Sequence, residues 1–177
     1  AGLWVHTDGA RIFNAAVFLG AEPRELAACT DSLTVCLSKG LAAPVGSLLV
    51  GPRDFILRAR KYRKMLGGGM RQAGVLAAPG LIALDSMRLR LAEDHINARK
   101  LAEGLARLGA EVDMDTVQTN IIRFQVPMAA EDFLRRLAAR GVLANATGPD
   151  SIRFVTHYEV SQEDVDQVLA ACGEILA

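Results

Sequence analysis

The chain has 177 residues, 51% of them hydrophobic and 23% charged, enough apolar material for a sizeable core and a balance that argues against disorder. Its twenty basic and twenty acidic residues cancel, which removes the electrostatic case for nucleic acid or an anionic membrane surface and leaves small-molecule chemistry open. No apolar run is long enough to span a bilayer and no signal-like segment opens the chain. Cys29, Cys36 and Cys172 lack C-x-x-C spacing, so a soluble protein with thiols in a reducing compartment is expected, without a disulfide framework or metal site.

In chain order, the strand-like run Leu3-Trp4-Val5 leads into His6-Thr7-Asp8-Gly9-Ala10-Arg11. Residues 12–19 are apolar nearly all round and predict a short buried helix stopped by Gly20. Pro23 opens a short helix running towards Ala28. Residues 32–37 read as a buried strand that delivers Lys39 into a turn of small residues, and residues 46–51 as its hairpin partner or neighbour. Two strand ends thus aim Asp8, Arg11 and Lys39, at the place where open α/β sheets gather ligands. Pro52 starts a helix in which Arg53, Arg58, Arg60, Lys61, Arg63 and Lys64 make a solvated basic face. Lys64 borders Gly67-Gly68-Gly69, a run that does not fit the dinucleotide fingerprint. Those glycines either bring backbone N–H groups to an anion at the start of the next helix, with Arg71 adding charge, or form a plain turn. Residues 72–90 predict a long apolar helix kinked near Pro79-Gly80. Residues 91–108 follow as an amphipathic helix with Ile96, Leu101, Leu105 and Leu108 on one face, ended by Gly109.

Beyond that point the pattern reads strand (120–126), helix (130–140), strand (142–145), strand (151–155) and helix (162–176), with Ser161 and Asp164 spaced as a capping box. The expected organisation is a larger α/β domain over residues 1–90 and a small α+β domain over residues 91–177, with the boundary in the helices around residues 88–95. Arg153 falls within the strand pattern Ile152-Arg153-Phe154-Val155. Its planar guanidinium suits bidentate capture of a carboxylate, whereas periodicity alone favours an outward position on an edge strand.

A lysine that acts as an amine nucleophile must be neutral at working pH, which partial desolvation among apolar neighbours would bring about. A carboxylate such as Asp8 can hold the protonated ring nitrogen of pyridoxal phosphate. Taken singly, Asp8 is better read as a helix cap and Lys39 as a solvated turn residue, and it is their joint context that favours the chemical reading.

Three stretches in order, His6 to Arg11, Leu37 to Gly46 and Leu66-Gly67-Gly68-Gly69-Met70-Arg71-Gln72-Ala73-Gly74, with the tail Ile152-Arg153-Phe154-Val155-Thr156-His157, resemble the low-specificity L-threonine aldolases. These are pyridoxal-phosphate enzymes of the aspartate-aminotransferase-like fold (fold type I). Thr7 stands where a bulkier apolar residue is expected. The resemblance covers roughly the family's carboxy-terminal half, so its phosphate loop and ring-stacking histidine are expected to lie in an amino-terminal half outside these residues.

The resemblance implies the second half of a large α/β domain followed by a small α+β domain. It implies that Lys39 is catalytic and holds pyridoxal 5'-phosphate covalently. Asp8 would meet the ring nitrogen, Ala10 the ring face and Arg11 the phenolic oxygen, with Ser38 and Arg71 also in the cofactor site and Arg71 reaching towards a neighbouring subunit. Arg11 and Arg153 would bind the substrate carboxylate. The implied reaction is cleavage of threonine or allo-threonine, as β-hydroxy-α-amino acids, to glycine and an aldehyde, by a cytoplasmic homo-oligomer built as a dimer of dimers. The histidines His6, His95 and His157 receive no role, and no base for the β-hydroxyl proton is marked. The same cofactor permits β-elimination or transamination. A reading from another class makes the 177 residues an inactive, oligomer-forming piece, expected to be silent and prone to associate when made alone.

Overall fold

The computed structural model describes residues 2–177 and divides into two compact units, Ala1–Leu91 and Ala92–Ala177. The first is built on a three-stranded sheet in the order β1 (His6–Asp8), β2 (Ser32–Cys36), β3 (Ser47–Val50), with β1 parallel to β2 and β3 antiparallel to it. The expected strand at Leu3-Trp4-Val5 is displaced. Strand pairing starts at His6 because β2 starts at its partner Ser32, and Leu3 and Trp4 lie exposed ahead of the sheet.

Helix α1 (Ile12–Leu19) ends at Gly20, which takes the left-handed conformation with φ 63°. It is apolar nearly all round without being buried all round. Only Ile12, Asn14 and Ala16 are buried, and Val17, Phe18 and Leu19 are exposed. α2 (Pro23–Ala27) starts on its proline, and α3 (Arg53–Met65) buries no residue, in keeping with a solvated basic helix. The single helix expected over residues 72–90 is two elements, α4 (Gly74–Asp85) and a 3-10 turn (Met87–Arg90). α4 runs through Pro79 and the break comes at Ser86. Pro79 removes one N–H from the ladder, a cost the helix absorbs. The core of this unit is two small clusters, Leu37, Leu41, Ala43, Ala83 and Leu91 in one and Ile12, Leu33 and Val35 in the other.

The second unit packs three helices on an antiparallel sheet. α5 (Leu91–Arg107) buries Ala98, Leu101, Ala102 and Leu105, spaced i, i+3, i+4, i+7. Ile96, two residues before Ala98, therefore points the other way and is exposed, against the expected face. Gly109 stops the chain with φ 88°. A short strand β4 (Glu111–Val112) and a 3-10 turn (Met114–Thr116) follow, neither of which was expected. Then come β5 (Ile121–Gln125), α6 (Ala130–Ala138), β6 (Asn145–Ala146), β7 (Ser151–Val155) and α7 (Gln162–Leu176), with strand order β4-β5-β7-β6.

The strand expected at residues 142–145 is shifted and shortened to β6 for a local reason. Gly141, with φ 77°, lets the Val142 N–H donate to the Leu137 carbonyl at 3.1 Å, so Val142 closes α6 and cannot join the sheet. The capping box is formed in both directions. The Asp164 N–H donates to Ser161 Oγ at 3.1 Å and the Ser161 N–H to Asp164 Oδ2 at 2.8 Å. Hydrogen bonds from the Ser161 side chain and then its backbone hold the Asp164 carboxyl below its ordinary range.

Ile122 and Phe124 of β5 and Ile152 and Phe154 of β7 face one large core with Phe133, Leu137, Val165, Cys172 and Ile175. A buried polar knot ties the sheet to α5. Thr156 Oγ1 donates to the Asp94 carbonyl at 2.6 Å, and Asn120 Nδ2 donates to the Thr156 carbonyl at 2.8 Å.

Candidate active site

Asp8 is the last residue of β1, and the chain turns at Gly9. A Cβ at Gly9 would lie 2.7 Å from the Thr34 carbonyl oxygen and 3.3 Å from Leu33 Cδ1, so only glycine lets the end of β1 approach β2 this closely. Asp8 Oδ1 accepts the Ala10 N–H at 3.1 Å, which fixes an exposed carboxylate at the end of the strand. Ala10 is half-buried, and Arg11 precedes α1 with its Nε buried and without a hydrogen-bond partner. Gly9→Ala is expected to destabilise the chain by about 1–3 kcal/mol, because the clash is with backbone and cannot be relieved by a rotamer change. Urea unfolding measures it, and a change below about 0.5 kcal/mol would show that the turn is plastic.

β2 is parallel to β1, so its carboxyl end lies on the same side of the sheet, with Lys39 three residues beyond Cys36. The loop carrying Lys39 is closed by backbone hydrogen bonds: the Leu37 N–H to the Gly46 carbonyl at 3.0 Å, Ala43 to Leu37 at 2.9 Å and Ala42 to Lys39 at 2.8 Å. Ala42 sits in the left-handed region at φ 58°, the one non-glycine residue to do so among the described residues. Such strain persists only where the surroundings over-determine it, and it gathers at functional sites. Gly40 is buried, and a Cβ there would lie 2.9 Å from Leu91 Cδ2 and 3.3 Å from Asn14 Oδ1. Asn14 thus packs closely against the lysine loop, a contact that the reading of α1 as apolar nearly all round passed over. Ser38 and Lys39 are exposed, so this fold does not itself supply the desolvation expected around the lysine. It supplies a rigid mount.

Of the two readings open for the glycine loop, the structure takes the plain turn. The Gly67 N–H donates to the Lys64 carbonyl at 3.2 Å and the Gly68 N–H to the Arg63 carbonyl at 2.8 Å, so these donors cap the end of α3 and are not presented to an anion. The next helix begins only at Gly74. Arg71 is exposed on the intervening segment and forms no side-chain hydrogen bond or ion pair with another described residue.

In the second unit, Arg153 lies on β7, which is flanked by β5 and β6 and so is an interior strand, not an edge. It is half-buried on the face opposite the core, its Nε buried without a partner, and it lines a cleft of about 290 Å³ with Asn145, Val155 and His157. A larger groove of about 670 Å³ runs between β3 and α3 past Leu48, Phe55 and Tyr62, and none of the candidate residues lines it. His95 has its pKa lowered by burial, with Asp94 opposing the shift. Burial pushes the Cys172 thiol up to about 12, while Cys29 is exposed and Cys36 half-buried, all three free. Among the described residues no group of three or more His, Cys, Asp or Glu could hold a metal ion, and no helix is long and apolar enough to cross a membrane.

The chain as a whole has relatives. The low specificity L-threonine aldolase of Escherichia coli K12 is 49% identical over 175 residues, a match spanning 99% of this chain and 52% of that protein. The low-specificity L-threonine aldolase 1 of Arabidopsis thaliana is 42% identical over 174 residues, spanning 96% of this chain and 49% of that protein. The chain therefore spans about half the length of the curated relatives it matches. Among solved structures, Leishmania major threonine aldolase superposes with a TM-score of 0.82 at 18% identity, covering 99% of this chain and 53% of that one. The fold is thus that of the fold type I enzymes. The family model described as beta-eliminating lyase matches residues 1–127, well over half of the chain, and the chain belongs to the beta-eliminating lyase family.

Proposed function

We propose that the complete protein is a pyridoxal-phosphate-dependent aldolase that cleaves L-threonine and L-allo-threonine to glycine and an aldehyde. The observation that carries the reading is the placement of Asp8 and Lys39 at the carboxyl ends of two adjacent parallel strands, where a ring held between them would find a carboxylate and an amine. The orphaned, buried Nε of Arg11, three residues after Asp8, is a donor awaiting an acceptor, so the residues present fit the cofactor. When bound, the cofactor supplies an electron sink for the charge left on Cα as the Cα–Cβ bond breaks.

In this reading Lys39 would hold the cofactor through its side-chain amine. Asp8 would keep the ring nitrogen protonated, Ala10 would pack on the ring face, and Ser38 would line the site next to the lysine. Arg11 contacts the phenolic oxygen and assists Arg153 in holding the substrate carboxylate. Residues 1–90 form the later part of the cofactor domain and residues 91–177 the small domain. Arg71 serves a neighbouring subunit in a homo-oligomer, a dimer of dimers, for which the exposed apolar side chains of Val75, Leu81 and Ile82 on α4 offer contact area. A cytoplasmic enzyme contributing glycine fits the free thiols.

β-Elimination is the second reading, favoured by the description of the family model. The test is incubation of the complete protein with pyridoxal phosphate and either threonine isomer. Equal amounts of glycine and aldehyde are expected from both, whereas a keto acid formed without aldehyde would move the assignment to elimination or transamination.

A further inference from the structure

Arg123 of β5 stands directly opposite Arg153 of β7. The Thr156 N–H donates to the Asn120 carbonyl at 3.0 Å, and the register steps along from that bonded pair, so Ile122/Phe154 and Phe124/Ile152 are the hydrogen-bonded pairs. Arg123/Arg153 is then a non-hydrogen-bonded pair, the class in which Cα atoms are about 4.5 Å apart and side chains come closest. Because Ile122, Phe124, Ile152 and Phe154 face the core, both arginines leave the opposite face of the sheet together.

Like charges opposed in this way destabilise a sheet. No acidic side chain relieves them, since the pair's neighbours on that face are Ile121 and Gln125 of β5, Ser151 and Val155 of β7 and Asn145 of β6. Among the described residues neither guanidinium has a side-chain hydrogen bond or ion pair. The Nε of Arg153 is buried as well, so one donor has lost water and gained nothing. Arg153 is half-buried with one unmet donor, and Arg123, across the ladder from it, is exposed; anionic oxygens complete such a pair, and its combined charge matches two carboxylates better than one.

We propose that Arg123 is a specificity-determining residue that takes a second carboxylate beside the one held by Arg153, so that the substrate class includes β-hydroxy-α-amino acids bearing a side-chain carboxylate, with 3-hydroxyaspartate the simplest. This rests on the aldolase reading above. The step balances without a co-reactant. The β-hydroxyl loses its proton, the Cα–Cβ bond breaks, Cα takes up a proton, and 3-hydroxyaspartate becomes glycine and glyoxylate.

The experiment compares the complete holoenzyme with its Arg123→Gln and Arg123→Lys variants. The ratio of kcat/KM for 3-hydroxyaspartate to that for threonine is expected to fall roughly tenfold or more in Arg123→Gln, and to recover in part in Arg123→Lys. A merely structural role would lower both substrates alike and leave the ratio unmoved, which overturns the proposal, as does a wild-type enzyme that does not cleave 3-hydroxyaspartate. Malonate titration followed by thermal unfolding provides a readout independent of turnover. Malonate is expected to raise Tm more than equimolar acetate in the wild type and to lose that advantage in Arg123→Gln. Failure to cleave threonine while the malonate effect holds would sink the aldolase reading and leave the anion site standing; the reverse pattern would sink the anion site alone.

Discussion

Lys39→Ala in the complete protein is expected to lower threonine cleavage on the order of a thousandfold or more, since on the proposed reading it removes the amine on which covalent catalysis turns. Stability should barely change. The side chain is exposed, and the loop is held by its backbone bonds and by Leu37, Leu41 and Ala43, all buried. Inactivation at an unchanged Tm would separate chemistry from folding. Borohydride reduction of the cofactor-loaded wild type followed by peptide mapping gives the second arm, with the label expected on Lys39. Lys100 is a suitable internal control because it is engaged with Asp166 at 2.6 Å. A label on Lys61, Lys64 or Lys100 in place of Lys39 would remove the site assignment and with it the mechanism.

The positions of Asp8 and Lys39 were legible in the sequence because each follows an apolar run and enters a turn of small residues. The strand leading to Asp8 was misplaced all the same. A three-residue strand has no periodicity of its own, and its bounds are set by the partner, here Ser32 to Thr34. The same holds for β4 and β6, at two residues each, which exist because longer neighbours offer them a ladder. Ile96 was assigned to the wrong face because alanines, Ala98 and Ala102, carry half of the buried stripe of α5 and a count of large apolar residues misses them. Asn14 had a signal that could have been read: an amide in the middle of an apolar helix must find a buried partner or be misplaced. Arg123 had none. Its pairing with Arg153 depends on β5 lying next to β7, with β6 sent to the outside, a choice made by chain topology.

Phe133→Ala is the substitution expected to cost most in folding free energy, about 3–5 kcal/mol. Phe133 is fully buried on α6 and meets Phe124 edge-on, with ring centroids 6.1 Å apart and planes at 78°, and Phe124 in turn meets Phe154 at 4.9 Å. Removing the first ring leaves a cavity beside the strand that carries Arg123 and loses an aromatic pair worth roughly 0.5–1.5 kcal/mol beyond its area. The loss falls on the unit with the larger core, where one continuous cluster joins β5, β7, α5, α6 and α7. The first unit has only its two small clusters, and β3 and much of α4 are exposed. Amide exchange should therefore be slowest in β5 and β7 and faster in α4, and Phe133→Ala should speed exchange in β5 and β7 while leaving α4 nearly as it was. Leu81→Ala on α4, at a side chain 61% exposed, is the control and is expected to cost less than about 1 kcal/mol. Equal costs for the two substitutions, or α4 amides as protected as those of β5, would show that the stability of the chain is not concentrated in the unit that holds Arg153.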